Sequence, residues 1–208
     1  YTTKPWVDLD DRPFFGSHLN FFRTSEVDQA LYTLARLEIE GKQVGLNSIV
    51  KSHHSVDFFD ASLRDQRLKF IYIMRNPEDT LRSFWRFLNG FDFNIGTRAS
   101  DALKFAQSAP EGYLMRYQSK SFTNYFERWA AHVEGWHAAA AAHSENILLV
   151  KYADLNDNFS DVLSKISDFA SVDQSHKTLS PPSKEAFYFK GSDMEINDAD
   201  DLEFKAFI

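Results

Sequence analysis

Apolar positions recur along the chain at two different periods, and the switches between them mark its elements. Val27, Leu31, Leu34, Ala35 and Ile39 fall at helical spacing. Thr24 is an N-cap candidate ahead of them, Glu26 and Asp28 suit the positive end of a helix dipole, and Gly41 closes the run. Ser48-Ile49-Val50 is a short apolar run into Lys51-Ser52-His53-His54, which predicts a strand delivering polar residues at its C-terminal end. Lys69-Phe70-Ile71-Tyr72-Ile73-Met74 is β-branched, aromatic and almost uncharged, the pattern of a strand buried on both faces of a parallel sheet. Arg75-Asn76-Pro77 follows, with Pro77 placed for the first turn of a helix and Glu78 and Asp79 suited to its N-terminus. That helix carries Leu81, Phe84, Trp85 and Leu88, and stops at Asn89-Gly90.

Residues 91–120 show weak periodicity, broken by Gly96, Pro110 and Gly112, and read as an insertion or lid over the acceptor side. From Ser121 a long helix places Phe122, Tyr125, Phe126, Trp129, Val133 and Trp136 on one face and ends in an alanine run near His143. Asn146–Val150 predicts a third strand, Lys151-Tyr152-Ala153-Asp154 a turn, and Phe159, Val162, Leu163, Ile166 and Phe169 another amphipathic helix. The stretch from Tyr1 to Phe22 reads as irregular, and the tail beyond Val172 as polar, with an acidic run from Asp193 to Glu203. Strands alternating with helices indicate one α/β domain over 1–208 with a mainly parallel sheet. Such sheets bind ligands beyond the C-terminal ends of their strands. Lys51 and His53, Arg75, and Tyr152 each follow a different strand at that edge.

Composition narrows the functional classes. The 208 residues include 20 Phe and are 43% hydrophobic, enough for a sizeable core in one domain. A net charge of -7 argues against broad nucleic-acid binding, which needs a basic surface, but leaves room for a local basic pocket. With no cysteine there is neither a disulfide framework nor a thiolate metal site, and a reducing, cytoplasmic setting is the expectation. No apolar run reaches the length of a membrane span, and no signal-peptide pattern opens the chain.

An arginine at a strand end and a serine two turns into the next helix can converge on one phosphate. Arg75 would supply a bidentate fork, Ser83 a hydroxyl, and the helix N-terminus further donors. The ordinary alternative is that Arg75 pairs with Asp79 while Ser83 faces water, and spacing alone leaves both open. His53 is two residues from Lys51, on the same face of an extended chain, and titrates near neutral pH, which suits a general base; a surface or structural role is the competing reading. His54 points the other way. Tyr152 could stack on a purine or simply pack, His132 reads as a hydrogen-bonded structural histidine, and His132, His137 and His143 lack the carboxylates to complete a metal site.

Taken together these segments resemble the sulfotransferases that use 3′-phosphoadenosine 5′-phosphosulfate (PAPS). Ile73-Met74-Arg75-Asn76-Pro77-Glu78-Asp79 with Ser83 resembles the family's 3′-phosphate segment, and Lys51-Ser52-His53 resembles its Lys-Thr-His. Trp129-x-x-His132-Val133-x-x-Trp136 and Lys151-Tyr152-Ala153-Asp154 resemble the helix and Tyr-Glu-Asp turn that come next, in the same order from about residue 46 to 170. The resemblance implies a three-layer α/β, P-loop-like fold and sulfuryl transfer from PAPS, leaving PAP, to a hydroxyl or amine of a small acceptor, with no metal. It implies His53 as base, Lys51 on the transferring group, Arg75 and Ser83 on the 3′-phosphate, and Tyr152 on adenine. Phe187-Tyr188-Phe189-Lys190-Gly191 resembles the family's Arg-Lys-Gly with Phe189 in place of arginine, so Lys190 and Gly191 carry over as phosphate contacts.

One family element has no counterpart. The 5′-phosphosulfate loop, of the type Pro-Lys-Ser-Gly-Thr-Thr-Trp, should precede Lys51, yet Gly16, Gly41 and Gly45 are the glycines there and none lies in a Lys-Ser-Gly context. Because the chain opens on Tyr1 and not on methionine, residues ahead of it are expected to carry that loop. A P-loop nucleotide kinase and a non-catalytic nucleotide-binding or scaffold module are the competing classes. The aromatic segments Val7–Phe22 and Phe87–Phe93 are candidates for an apolar acceptor pocket, with core or lid packing as the alternative, and a homodimer is left open.

Overall fold

The computed structural model describes residues 7–8, 50–64, 68–89, 98–172 and 198–208. The expected helix over 24–41, the first part of the 91–120 insertion, and Lys190 and Gly191 lie outside those residues. The chain divides into two compact units, Tyr1–Leu68 with Arg116–Ser119, and Lys69–Met115 with Lys120–Ile208.

In the first unit β1 (Val7–Asp8) pairs in parallel with β2 (Val50–Lys51), Val7 opposite Val50 and Asp8 opposite Lys51. The opening segment thus contributes a strand where the sequence pattern reads as irregular, because two residues are too few to show a period of two. Beyond β2 the chain turns through a 3₁₀ segment, Val56–Phe59, into the short helix α1 (Asp60–Leu63). Phe59 and Leu63 are buried, and Tyr117 joins them from the later part of the unit, where its carbonyl accepts the Ser55 N–H.

The second unit is built on β3 (Phe70–Met74), which runs into α2 (Pro77–Asn89). It continues through α3 (Ala102–Gln107), α4 (Tyr125–Ala142), β4 (Ile147–Lys151), α5 (Tyr152–Asp157), α6 (Phe159–Ala170) and α7 (Asp198–Phe207). β3 and β4 are parallel and in register from Phe70–Ile147 to Met74–Lys151, so their C-terminal ends coincide. Parallel neighbours need a long crossover, and α2 to α4 supply it. This is the α/β architecture that the alternating pattern predicts.

The core of this unit follows from the spacing of apolar residues on its helices. On α2, Leu81, Trp85 and Leu88 are buried and stand three and four residues apart, one stripe of a helix. Phe105 of α3 is fully buried, stacked on Tyr125 at 4.1 Å and edge-on to Phe84 at 5.7 Å. So part of the segment read as a lid is a helix whose Ala102, Phe105 and Ala106 lie in the core. Asp101 and Asn124 cap α3 and α4 by accepting the N–H of Lys104 and Glu127, each at 2.8 Å.

α4 lies along β3 in the opposite direction. Trp136 stacks on Tyr72 at 5.2 Å and meets Phe70 at 6.0 Å, His132 Nδ1 lies 3.0 Å from the Tyr72 hydroxyl, and Trp129 reaches Arg75. The other face of β3 is more open, with Ile71 39% and Ile73 51% exposed, whereas the sequence pattern predicts burial on both faces. A continuous apolar run carries no period and cannot assign a face. No helix of the described residues is long and apolar enough to cross a membrane.

Candidate functional site

Arg75 is the first residue past β3 and Tyr152 the first past β4, and the register that pairs Met74 with Lys151 brings them side by side. The Arg75 guanidinium carbon lies 5.0 Å from the centre of the Tyr152 ring. Tyr152 is 40% exposed, so this pair stands at the surface of the strand ends and can be reached by a ligand.

Three more residues hold Arg75. Its side chain pairs with Asp79, Nη2 at 3.3 Å and Nε at 3.4 Å from Oδ2. Its main-chain carbonyl accepts from Trp129 Nε1–H at 3.3 Å and from the Thr80 hydroxyl at 3.4 Å. Asp79 is also tied to Asn76: the Asn76 Oδ1 accepts the Asp79 N–H at 2.8 Å, and Asn76 Nδ2 donates back to Oδ2 at 2.9 Å. Asn76 is therefore the cap of α2, and the pair resembles a reciprocal capping box.

This alters the anion site in character. Pro77 has no N–H to offer and that of Asp79 is committed to Asn76, so the start of α2 contributes few backbone donors. The cation at this end of α2 is the Arg75 fork, which pairs with the Asp79 carboxylate. Ser83 is exposed on α2, one turn beyond Asp79 on the same helical face, and Arg75 pairs with Asp79 from just ahead of the helix. Its neighbour Arg82 points the other way, buried against Phe204.

In the first unit, Lys51 ends β2 and His53 follows in the extended segment behind it. His53 is exposed, its ring edge-on to Tyr117 at 5.8 Å. His54 is 3% exposed, with Nδ1 2.5 Å from the Ser52 hydroxyl and its ring edge-on to Phe58 and Tyr117. The two adjacent histidines are thus divided between solvent and core, with His53 the exposed one. Arg75 and Tyr152 meet directly in one unit, Ser83 shares it, and Lys51 and His53 belong to the other.

His132 is engaged with Tyr72, and His137 Nε2 approaches Met74 Sδ at 3.3 Å. Among the described residues no group of three or more His, Cys, Asp or Glu could hold a metal ion. The two supports of Arg75 on either side of it differ in how far the sequence shows them. The Asn76 cap is visible as an Asn three residues ahead of an Asp, but the Trp129 bond to Arg75 joins positions 54 apart and leaves no local signal.

Residues 23–200 match the sulfotransferase domain, and the chain belongs to that family. The α/β fold that the resemblance implies is that family's fold. Among curated relatives, the chain is 25% identical over 177 residues to amine sulfotransferase of Oryctolagus cuniculus, covering 85% of this chain and 48% of that protein. It is 28% identical over 133 residues to sulfotransferase 2A1 of Homo sapiens, covering 64% of this chain and 40% of the relative. The chain therefore spans about half the length, or less, of these relatives. A solved structure of mouse sulfotransferase SULT7A1 complexed with PAP is similar over 80% of this chain and 47% of that one, at 19% identity and a TM-score of 0.47.

Proposed function

We propose that the protein transfers a sulfuryl group from PAPS to a hydroxyl or amine of a small acceptor, by in-line displacement. The observation that carries this reading is the Arg75–Tyr152 pair at the coincident ends of β3 and β4, with Ser83 on the open face of α2, in a chain of the sulfotransferase family. Arg75 and Ser83 take the donor's 3′-phosphate and Tyr152 contacts its adenine, with Lys190 and Gly191 as further phosphate contacts. His53 removes the acceptor's proton, a role its exposure permits and the burial of His54 denies to the neighbour. Lys51 stabilises charge on the transferring group. Sulfuryl transfer, like phosphoryl transfer, depends on positioning and charge stabilisation, so the donor's 5′ end needs its own cradle from residues other than those identified. The domain spans the chain, with residues 91–120 as its acceptor-side segment.

A thermal shift compares PAP with ATP plus magnesium. A ligand at roughly 100 times its Kd adds about 2.7 kcal/mol to folded-state stability, so PAP is expected to raise the melting temperature by roughly 5 °C or more. A rise with ATP and none with PAP points to a nucleotide kinase and removes the sulfotransferase reading. His53→Ala is expected to keep PAP binding and lose turnover by about 10²-fold or more. Retained turnover takes His53 out of the base role.

A further inference from the structure

We infer that Tyr152 is a positioning residue for Arg75: its ring face carries the guanidinium and aims the fork at the donor's 3′-phosphate, in addition to any contact with the base. The inference deepens the donor-site reading and rests on it. The side chain of Arg75 is 36% exposed, and a long, solvated arginine ordinarily samples many rotamers. Here it is held on two sides. The Asp79 Oδ2 lies 3.3 Å from Nη2, and the Tyr152 ring centre lies 5.0 Å from the guanidinium carbon. The main-chain carbonyl is fixed as well, by Trp129 Nε1–H.

These supports do not respond to a phosphate in the same way. The Asp79 carboxylate pairs with the same charge that an incoming phosphate seeks, so the two anions compete for the fork. A ring face competes for nothing. It attracts the cation through its quadrupole and leaves the N–H edge of the guanidinium plane free to donate. When phosphate displaces Asp79, Tyr152 is the support that remains. A pre-oriented fork loses less rotamer entropy on binding and so binds more tightly. The register of the two parallel strands sets this up, because Arg75 and Tyr152 follow the paired residues Met74 and Lys151.

The test splits the 3′-phosphate from the rest of the nucleotide. Binding of PAP and of 5′-AMP, which lacks that phosphate, is measured by calorimetry for the wild type, Tyr152→Leu, Tyr152→Phe, Arg75→Ala and the double variant Arg75→Ala/Tyr152→Leu. Tyr152→Leu is expected to weaken PAP about fivefold more than it weakens 5′-AMP, which loses only the base contact, with Tyr152→Phe close to wild type because the ring face is kept. In the Arg75→Ala background the same substitution is expected to weaken PAP and 5′-AMP equally to within about twofold, since its route to the 3′-phosphate is gone. Equal losses for PAP and 5′-AMP with Arg75 present assign Tyr152 to the adenine alone and overturn the inference; so does an excess loss for PAP that persists without Arg75, or an unchanged PAP affinity in Tyr152→Leu. Failure of the wild type to bind PAP at all refutes the donor-site reading itself and is a separate result. Circular dichroism on each variant, and the behaviour of Tyr152→Phe, keep a folding defect from imitating the expected loss.

Discussion

In the proposed donor site an internal carboxylate and the 3′-phosphate would compete for the Arg75 guanidinium, and their relative strengths decide whether such a site works. The Arg75–Asp79 pair is exposed on both sides, 36% and 50%, and such pairs are worth about 1 kcal/mol or less. A charge-assisted contact from an arginine fork to phosphate is worth about 1.5–3 kcal/mol per bond, so the phosphate wins. Both halves of this competition are legible in the chain, since Arg75, Asp79 and Ser83 stand four residues apart; the sequence leaves the choice open because one spacing serves an ion pair and an anion site alike. What spacing misassigns is the helix terminus, where the Asn76 side chain takes a donor that a reading of the dipole would give to the ligand. Side chains are therefore expected to dominate affinity. Arg75→Ala should weaken PAP about 100-fold, Arg75→Lys about tenfold because it keeps the charge and loses the fork, and Ser83→Ala about two- to tenfold. Calorimetry at one fixed ionic strength measures all three. A lysine variant equal to wild type would mean that charge alone, and not fork geometry, recognises the phosphate.

Among the elements, those with strong periods or firm boundaries stand out in the sequence: β3, β4, α2 and α6 fall where apolar spacing and stop signals put them, and α4 does so except at its start, which is Tyr125 and not Ser121. β1 is too short to show a period, and α3 has its apolar residues in a six-residue helix that offers less than two turns of pattern. The contact between β3 and α4 is a tertiary match that no local pattern contains, and it has a measurable consequence at Tyr72. Burial under α4 pushes the Tyr72 phenol up to about 12, against a smaller opposing pull from Arg128. The folded chain therefore holds this proton when the unfolded chain has released it. Stability from this group is fully present below pH 10 and is lost as pH rises from 10 through 12, by up to about 2 kcal/mol. Chemical denaturation at pH 9, 10 and 11 measures the loss. Tyr72→Phe should flatten this part of the profile, and an equally steep profile in that variant would place the sensitive group elsewhere.

For the second unit as a whole, the part hardest to foresee is its last helix. The acidic run from Asp193 to Glu203 reads as a polar tail, yet α7 contributes Phe204 to the core with no exposure at all, and the family match ends at residue 200, within the helix's first turn. The reason is a single buried charge on α2. Arg82 is 8% exposed and needs a counter-ion; Glu78 supplies one from its own helix at 3.3 Å, and Asp201 of α7 supplies a second at 2.5 Å. Phe204 then lies 4.3 Å beneath the guanidinium, and Phe207 packs against Phe126 of α4. A polar partner for a buried arginine, with one aromatic behind it, fastens an acidic helix that has little apolar surface of its own. Asp201 is hydrogen-bonded to Lys205, which together with Arg82 holds its carboxyl below the usual range, so this attachment is present above the normal aspartate range near pH 4 and weakens as pH falls through the lowered value. Phe204→Ala is accordingly expected to destabilise the protein by about 3–5 kcal/mol, whereas Leu202→Ala, at a residue 72% exposed on the same helix, should change stability by less than about 0.5 kcal/mol. Denaturant midpoints of the two variants give the comparison. Hydrogen exchange locates the loss: in Phe204→Ala the amides of α7 should lose protection together with those of α2 and α3, because these helices share one core. Loss confined to α7 would mean that it rests on an already complete unit and is not part of its core.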